Sequence, residues 1–286
     1  MVQQLSLFSA IDDPSYDLFI STIKTISGNP PVLFANVNTI WNLNPDNEVQ
    51  QINKKNQLVE PNRIKLSTNV PLDILADSDS SDSQSRAPRQ LDYTLMKHLQ
   101  TDALPVIEGE LKSLLKNSGI NLTSDSDMNV DSDVKQSNNN NQAWSLSMSD
   151  IPAAGTSKKV SIQLISESSI LFTDSNASSL TAFMNGLGYI LDYSYITVGS
   201  KFFFPDNLIL DAYKIWNFDS DKSTQLTKGG LLLKAYINVS KNTDIERINQ
   251  AEKSLLLLQK ELQGFVEFSI PDRQSMDSRS EAPDII

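Results

Sequence analysis

"GGLLLKAYINVSK", Gly229 to Lys241, is the stretch whose reading decides the fold. Leu231, Leu233, Ala235, Ile237 and Val239 fall on one side of an extended chain, and Lys234, Tyr236, Asn238 and Ser240 fall on the other. Side chains alternate across a strand with a period of two, so the pattern predicts a half-buried β-strand. Residues 159–172, 189–199, 208–216 and 265–270 repeat it less regularly. Turn-like pieces such as "FPDN" and "TKGG" join them. Such a succession predicts an antiparallel sheet large enough to curl or close on itself.

Helices are fewer and fall at the joints between strands. Asp13 is placed to cap one, with Pro14 at its first position, Tyr16, Phe19, Ile20 and Ile23 on its apolar face and Gly28 as its stop. A short second one carries Leu180, Phe183, Met184 and Leu187. The third is the clearest: Thr243 and Glu246 form a capping box, and Ile245, Ile248, Ala251, Leu255, Leu258 and Leu262 recur at helical steps before Gly264. Leu256 and Leu257 widen its stripe beyond a single seam, so it either plugs or flanks its own sheet or presents part of its surface to another chain.

Two segments break the globular pattern. Residues 76–90 are dominated by Ser and Asp, and residues 121–142 add an Asn tract. Neither buries enough apolar surface to offset the entropy of ordering, so both are expected to be mobile insertions. They separate an N-terminal part, residues 1 to about 75, from a longer part that begins at Ala143.

Composition excludes several functions. The chain has 286 residues, 39% of them hydrophobic, and a net charge of -11. That charge repels phosphate backbones and disfavours direct nucleic-acid binding. Without cysteine there are no disulfides, thiolate metal sites or thiol nucleophiles. The single histidine, His98, stands in a polar stretch and reads as a surface residue, which leaves no histidine relay or multi-histidine metal site. The N-terminus lacks the pattern of a signal peptide, and no apolar run reaches bilayer length, so a soluble intracellular chain is expected.

"EGELK", Glu108 to Lys112, has the acid-gap-acid-gap-base spacing by which tunnel-shaped β-barrel enzymes hold a metal and a triphosphate. Those carboxylates share a face only on a strand. Here Val106, Ile107, Leu111, Leu114 and Leu115 recur at helical steps before Gly119. On a helix Glu108 and Glu110 point about 200 degrees apart, leaving Glu108 and Lys112 as an ordinary surface pair. Lys159, Lys201, Lys214 and Lys234 are spread about one to a strand, which looks too scattered to clamp phosphate. No catalytic, metal or cofactor residue is therefore assigned.

Longer strings carry more. "MVQQLSLF" (1–8), "SGNPPVLF" (27–34), "NQLVEPNRIKLS" (56–67), "WSLSMSDIPAAG" (144–155), "MNGLGYILDYSYITVGSKFF" (184–203), "GGLLLKAYINVSKNTDIERIN" (229–249) and "KELQGFVEFSIPDRQSMDSR" (260–279) together resemble the family of Mediator subunit 18, of the budding-yeast type. The resemblance implies a mainly β fold with flanking helices: a distorted antiparallel β-barrel related to the triphosphate-tunnel folds, without their catalysis. It implies one barrel domain over residues 1–286, with the two acidic or Asn-rich segments inserted in it. It further implies a nuclear, non-catalytic coactivator subunit of the Mediator head module. That subunit pairs with subunit 20, holds the C-terminal helix of subunit 8, and helps couple regulators to RNA polymerase II initiation, with no cofactor, membrane or direct nucleic-acid contact.

Leu255, Leu256 and Leu258 are the first candidates for a partner-binding groove, followed by Tyr193, Tyr195 and Phe203. In the tail, Arg273 and Arg279 are placed either to pair with an acidic partner or to sit in a solvated terminal loop. The competing function is a metal-dependent triphosphatase using the barrel tunnel. Lumen contents discriminate, since clustered acids and bases favour chemistry and an apolar or plugged interior disfavours it.

Overall fold

The structure, a computed structural model, describes residues 1–46, 62–70, 142–153, 158–172, 180–218 and 223–279. The expectations for His98, for the EGELK helix with Glu108, Glu110 and Lys112, and for residues 76–90 and 121–141 lie outside the described residues. Gln142, expected at the end of an insertion, instead opens a strand.

Nine strands are described: β1 (Val2–Asp12), β2 (Val32–Leu43), β3 (Ile64–Asn69), β4 (Gln142–Ser149), β5 (Ser161–Phe172), β6 (Tyr189–Phe203), β7 (Ile209–Phe218), β8 (Ser223–Gln225) and β9 (Gly230–Val239). Their order is β6-β2-β3-β4-β5-β1-β9-β7-β8, and a further pairing of β6 with β7 closes the ring. Every pairing is antiparallel, and short β8 extends the β9 side of β7. The predicted sheet is thus a closed eight-stranded barrel. β1, β2, β3 and β4 were not predicted. The predicted strand at 265–270 is reduced to one bridge, Phe8 with Ser269, on the part of β1 beyond its pairing with β5.

Register fixes what points inward. Along β1 and β9, Gln3 lies opposite Val239 and Asp12 opposite Gly230, so Leu5, Leu7 and Ile11 share a face with Leu231, Leu233, Ala235, Ile237 and Val239. Those apolar residues are all buried, and Leu210, Ala212, Phe202, Ile196 and Val37 continue their face around the ring. The opposite face carries Gln4, Ser6, Lys234, Tyr236, Asp211, Lys201, Asn38, Lys65, Ser147 and Gln163. This polar face lines the lumen: Lys234 on β9 and Lys65 on β3, diametrically opposed strands, feel each other's charge.

The apolar face therefore looks outward and is covered by helices. α1 (Tyr16–Ser27) lays Tyr16, Phe19, Ile20 and Ile23 on the sheet. The Phe19 ring meets Phe202 edge-on at 6.0 Å, and the Tyr16 and Ser200 hydroxyls lie 2.8 Å apart. α2 (Leu180–Gly186) buries Leu180 and Met184 but leaves Phe183 and Leu187 largely exposed. α3 (Ile245–Glu261) sets Ala251, Leu255 and Leu258 against β9 and β1, followed by Leu262, Val266 and Phe268. Each such aliphatic or aromatic side chain contributes about 2 kcal/mol when fully buried. Among the described residues no helix is long and apolar enough to cross a membrane.

Two caps differ from expectation. Asp13 lies in a 3-10 turn and caps nothing. Its carboxylate instead meets Lys214 at 2.7 Å, tying the start of α1 to the outside of β7. At α3 the cap is Asp244 rather than Thr243: the Asp244 carboxylate accepts from the Arg247 backbone N–H at 3.2 Å. Gly28 and Gly264 do end their helices, with φ of 70° and 85°. Gly199 serves a different need, since a Cβ there would lie 2.3 Å from the Ala212 carbonyl oxygen on β7. Gly199→Ala is expected to force β6 and β7 apart and cost about 3 kcal/mol, read as a lower midpoint in urea unfolding.

Candidate binding surfaces in the lumen and on the outer helix

Closure of the ring brings the scattered lysines together. The Lys65 ammonium lies 5.7 Å from the Tyr195 ring centre, Lys201 lies 5.2 Å from Phe34, and Lys234 lies between Phe8 at 5.7 Å and Tyr236 at 5.1 Å. Asp211 on β7 stands 3.8 Å from Lys201. It also accepts a hydrogen bond from the Tyr236 hydroxyl. Burial raises the Asp211 carboxyl to about 6, against the opposing pull of Lys201 and Lys234. Burial, followed by repulsion from Lys65, lowers Lys234 to about 8, with Asp211 acting the other way. Burial holds the Tyr213 phenol up at about 12 and raises that of Tyr236 further, so both remain hydroxyl donors.

With one lysine per strand, Lys201 and Lys234 fall on the lumen face, where Asp211 acts on both. Lys214 points outward to Asp13, and Lys159 is exposed ahead of β5. Lys65, which sequence reasoning passed over, completes the cluster. Its position in the alternation of "RIKLS" was the signal that could have found it.

The tail has a place as well. Residues 271–279 form a strap across the lumen ends of β5, β4 and β3. Gln163 donates to the Met276 carbonyl, and the Ser161 hydroxyl contacts the Met276 sulfur at 3.5 Å. The Ser278 hydroxyl donates to the Ser149 carbonyl at 2.6 Å, and the Arg63 backbone N–H donates to the Ser278 carbonyl. Arg273 donates to the Pro152 carbonyl, and Arg279 pairs with Asp277 at 2.6 Å. Arg273 is exposed but tied to Pro152, and Arg279 is engaged by Asp277, so the tail is anchored to the barrel. Ser275 to Ser278 line a half-open pocket of about 240 Å³ together with Ile40, Arg63, Lys65, Ser147, Ser149 and Tyr193.

The six partner-binding candidates do not form one groove. Leu255 and Leu258 are buried against the chain's own sheet, because they continue the face that covers β9 and β1. Leu256 is half-buried beside them, and Leu257 is the exposed leucine of α3, at 58%. Tyr193 and Tyr195 do lie together, with ring centres 6.2 Å apart, but on the polar side of β6 at the lumen. Phe203 sits apart at the end of β6, where its carbonyl accepts from Asn29.

A family profile described as "Med18 protein" matches residues 3–279. The chain belongs to the Med18 family. It is 44% identical to "Mediator of RNA polymerase II transcription subunit 18" of Saccharomyces cerevisiae, over 98% of this chain and 97% of that one. It is 40% identical to the Kluyveromyces lactis protein of the same name, over 98% of each. It also superimposes on a chain of the Schizosaccharomyces pombe Mediator head module with a TM-score of 0.58 and 13% identity, covering 94% and 98% of the two chains, which shows a shared fold. Membership of the Med18 family settles the class as a transcription-complex subunit rather than an enzyme.

Lumen charge in this Med18 chain makes a pH prediction. Lys234 is lowered from 10.5 to about 8 on folding, so the folded state binds fewer protons than the unfolded one between those values. Stability contributed by this group therefore rises as pH increases from about 8 toward 10. Lys234→Met is expected to remove that rise and to be more stable than the parent at pH 7 by about 1 kcal/mol or more. Urea unfolding at pH 7, 8, 9 and 10 measures both.

Proposed function

We propose that this chain is a non-catalytic scaffold of the Mediator head module that pairs with subunit 20 and holds the C-terminal helix of subunit 8. On this reading it acts in the nucleus and helps couple regulators to RNA polymerase II initiation. The observation that carries the reading is the 44% identity along 98% of the chain to the yeast subunit 18. The architecture supports it. Ring closure leaves the barrel strands little free edge, so it offers rigid outer faces with little invitation to strand-to-strand aggregation. The outer face of α3, with Leu257 exposed and Leu256 beside it, suits the apolar side of an incoming helix read at three- and four-residue steps.

Co-expression of this chain with subunit 20 and the subunit 8 tail is expected to give one complex on gel filtration. Three folded chains eluting separately would rule the reading out. Within the complex, Leu257→Glu puts a charge where the incoming helix would meet an apolar side chain. It is expected to weaken retention of the subunit 8 tail by about tenfold while leaving the melting temperature of the isolated chain unchanged.

A further inference from the structure

Strand register sets three lumen charges in one row. Lys201 on β6 lies opposite Asp211 on β7, Asp211 lies opposite Lys234 on β9, and Lys234 lies opposite Phe8 on β1. One carboxylate thus stands between two lysines, and it is already engaged: Lys201 is 3.8 Å away and the Tyr236 hydroxyl donates to it. Lys234 lies 5.7 Å from the Phe8 ring centre and 5.1 Å from that of Tyr236 and, among the described residues, forms no hydrogen bond or ion pair. The titratable groups facing it are Lys65 from β3, Glu167 from β5, Tyr195 and Lys201 from β6, Asp211 and Tyr213 from β7, and Tyr236 from β9 itself. Glu167 is exposed and accepts from the Ser145 hydroxyl at 2.7 Å.

A lysine so placed carries latent chemistry. An ammonium is inert, whereas the free amine attacks electrophiles. Burial and the Lys65 charge lower Lys234 from 10.5 to about 8. Near neutral pH it therefore presents roughly 300-fold more free amine than an ordinary lysine.

The lumen selects the electrophile. An eight-stranded interior is filled by side chains, so the reactant must be small. Lys65 and Lys201 stay charged after the reaction, so an adduct that carries negative charge is stabilised there, while an acyl group supplies none. Carbon dioxide meets both conditions, being small and uncharged on entry and a carboxylate once bound. The Nζ lone pair attacks its carbon, an N–C bond forms, one C=O π pair moves onto oxygen, and the nitrogen releases one proton. Amine plus carbon dioxide gives carbamate plus a proton, with nothing oxidised or reduced. Asp211, opposite in register and raised to about 6 by burial, is the adjacent base that passes the proton to solvent.

We propose that Lys234 is a carbon dioxide-binding residue, carbamylated on Nζ within the row Lys201, Asp211, Lys234, with the carbamate anion stabilised by the charges of Lys65 and Lys201. The modification is internal and independent of the partner subunits assigned to this chain.

The test exposes the full chain to carbon-13-labelled carbon dioxide at a fixed partial pressure and pH 6.5, 7.5 and 8.5. Carbamate is then trapped as its ethyl ester with a trialkyloxonium salt and located by peptide mass spectrometry. The expected result is a trapped adduct at Lys234 whose occupancy rises with pH through about 8, as the amine loses its proton. It is expected to vanish in Lys234→Met, to fall about threefold or more in Lys201→Met, and to be unchanged in Lys159→Met on the outside. The α-amine of Met1 is an ordinary site for the same reagent, and peptide mapping separates the two. Trapping on the parent protein needs no variant to fold, and the urea-unfolded parent is expected to lose the adduct at Lys234 while keeping that at Met1. An adduct confined to Met1, one spread evenly over the exposed lysines, or one at Lys234 that survives unfolding overturns the proposal.

Discussion

The rest of the molecule follows from closing a sheet with its polar face inward. An eight-stranded barrel has an interior just wide enough for side chains, and whichever face is turned in must fill it. Here lysine, tyrosine, serine and amide side chains are turned in, and the leucines of β9 and β1 are turned out. An outward apolar face in water must be covered. α1, α3 and the segment through Phe268 are that cover, which is why α3 buries Leu255 and Leu258 rather than offering them. The Phe19 and Phe265 rings stack at 6.5 Å and join the α1 and α3 layers over the sheet.

Inside the barrel, closure creates electrostatics that no single strand contains. A lysine on a half-exposed strand is solvated and keeps its ordinary charge. Placed on opposed strands of a closed ring, Lys65 and Lys234 have nowhere to move apart, and repulsion joins burial in lowering the proton affinity of Lys234. The strap then encloses one end by satisfying its own polar groups on strand-end carbonyls, such as those of Ser149 and Pro152. A subunit whose outer apolar face is given over to cover thus keeps a charged interior.

Much of this was legible from residue patterns. Alternation in Gly229–Lys241 identified β9, and spacing identified α1, α2 and α3 to within a few residues. The caps were misplaced because Asp13 and Asp244 have rivals one residue away, and only geometry shows which carboxylate reaches a backbone N–H and which reaches Lys214. β2 escaped notice because its burial departs from strict alternation after Asn38, near a register shift at Ile40/Trp41. The site was less legible than the fold. Leu255 and Leu258 looked open to a partner because a stripe of leucines reads the same whether it faces its own sheet or another chain.

By itself the sequence determined that a strand-rich chain would form, where its main helices fall, and which family it belongs to. Each of these depends on neighbours within a few residues or on extended strings. Tertiary structure alone decided which face of the sheet is inside, which lysines meet, and where the tail goes. Period-two alternation marks two faces without saying which is enclosed, and convergence of Lys65, Lys201 and Lys234 depends on ring closure between β6 and β7, a contact set by three-dimensional packing.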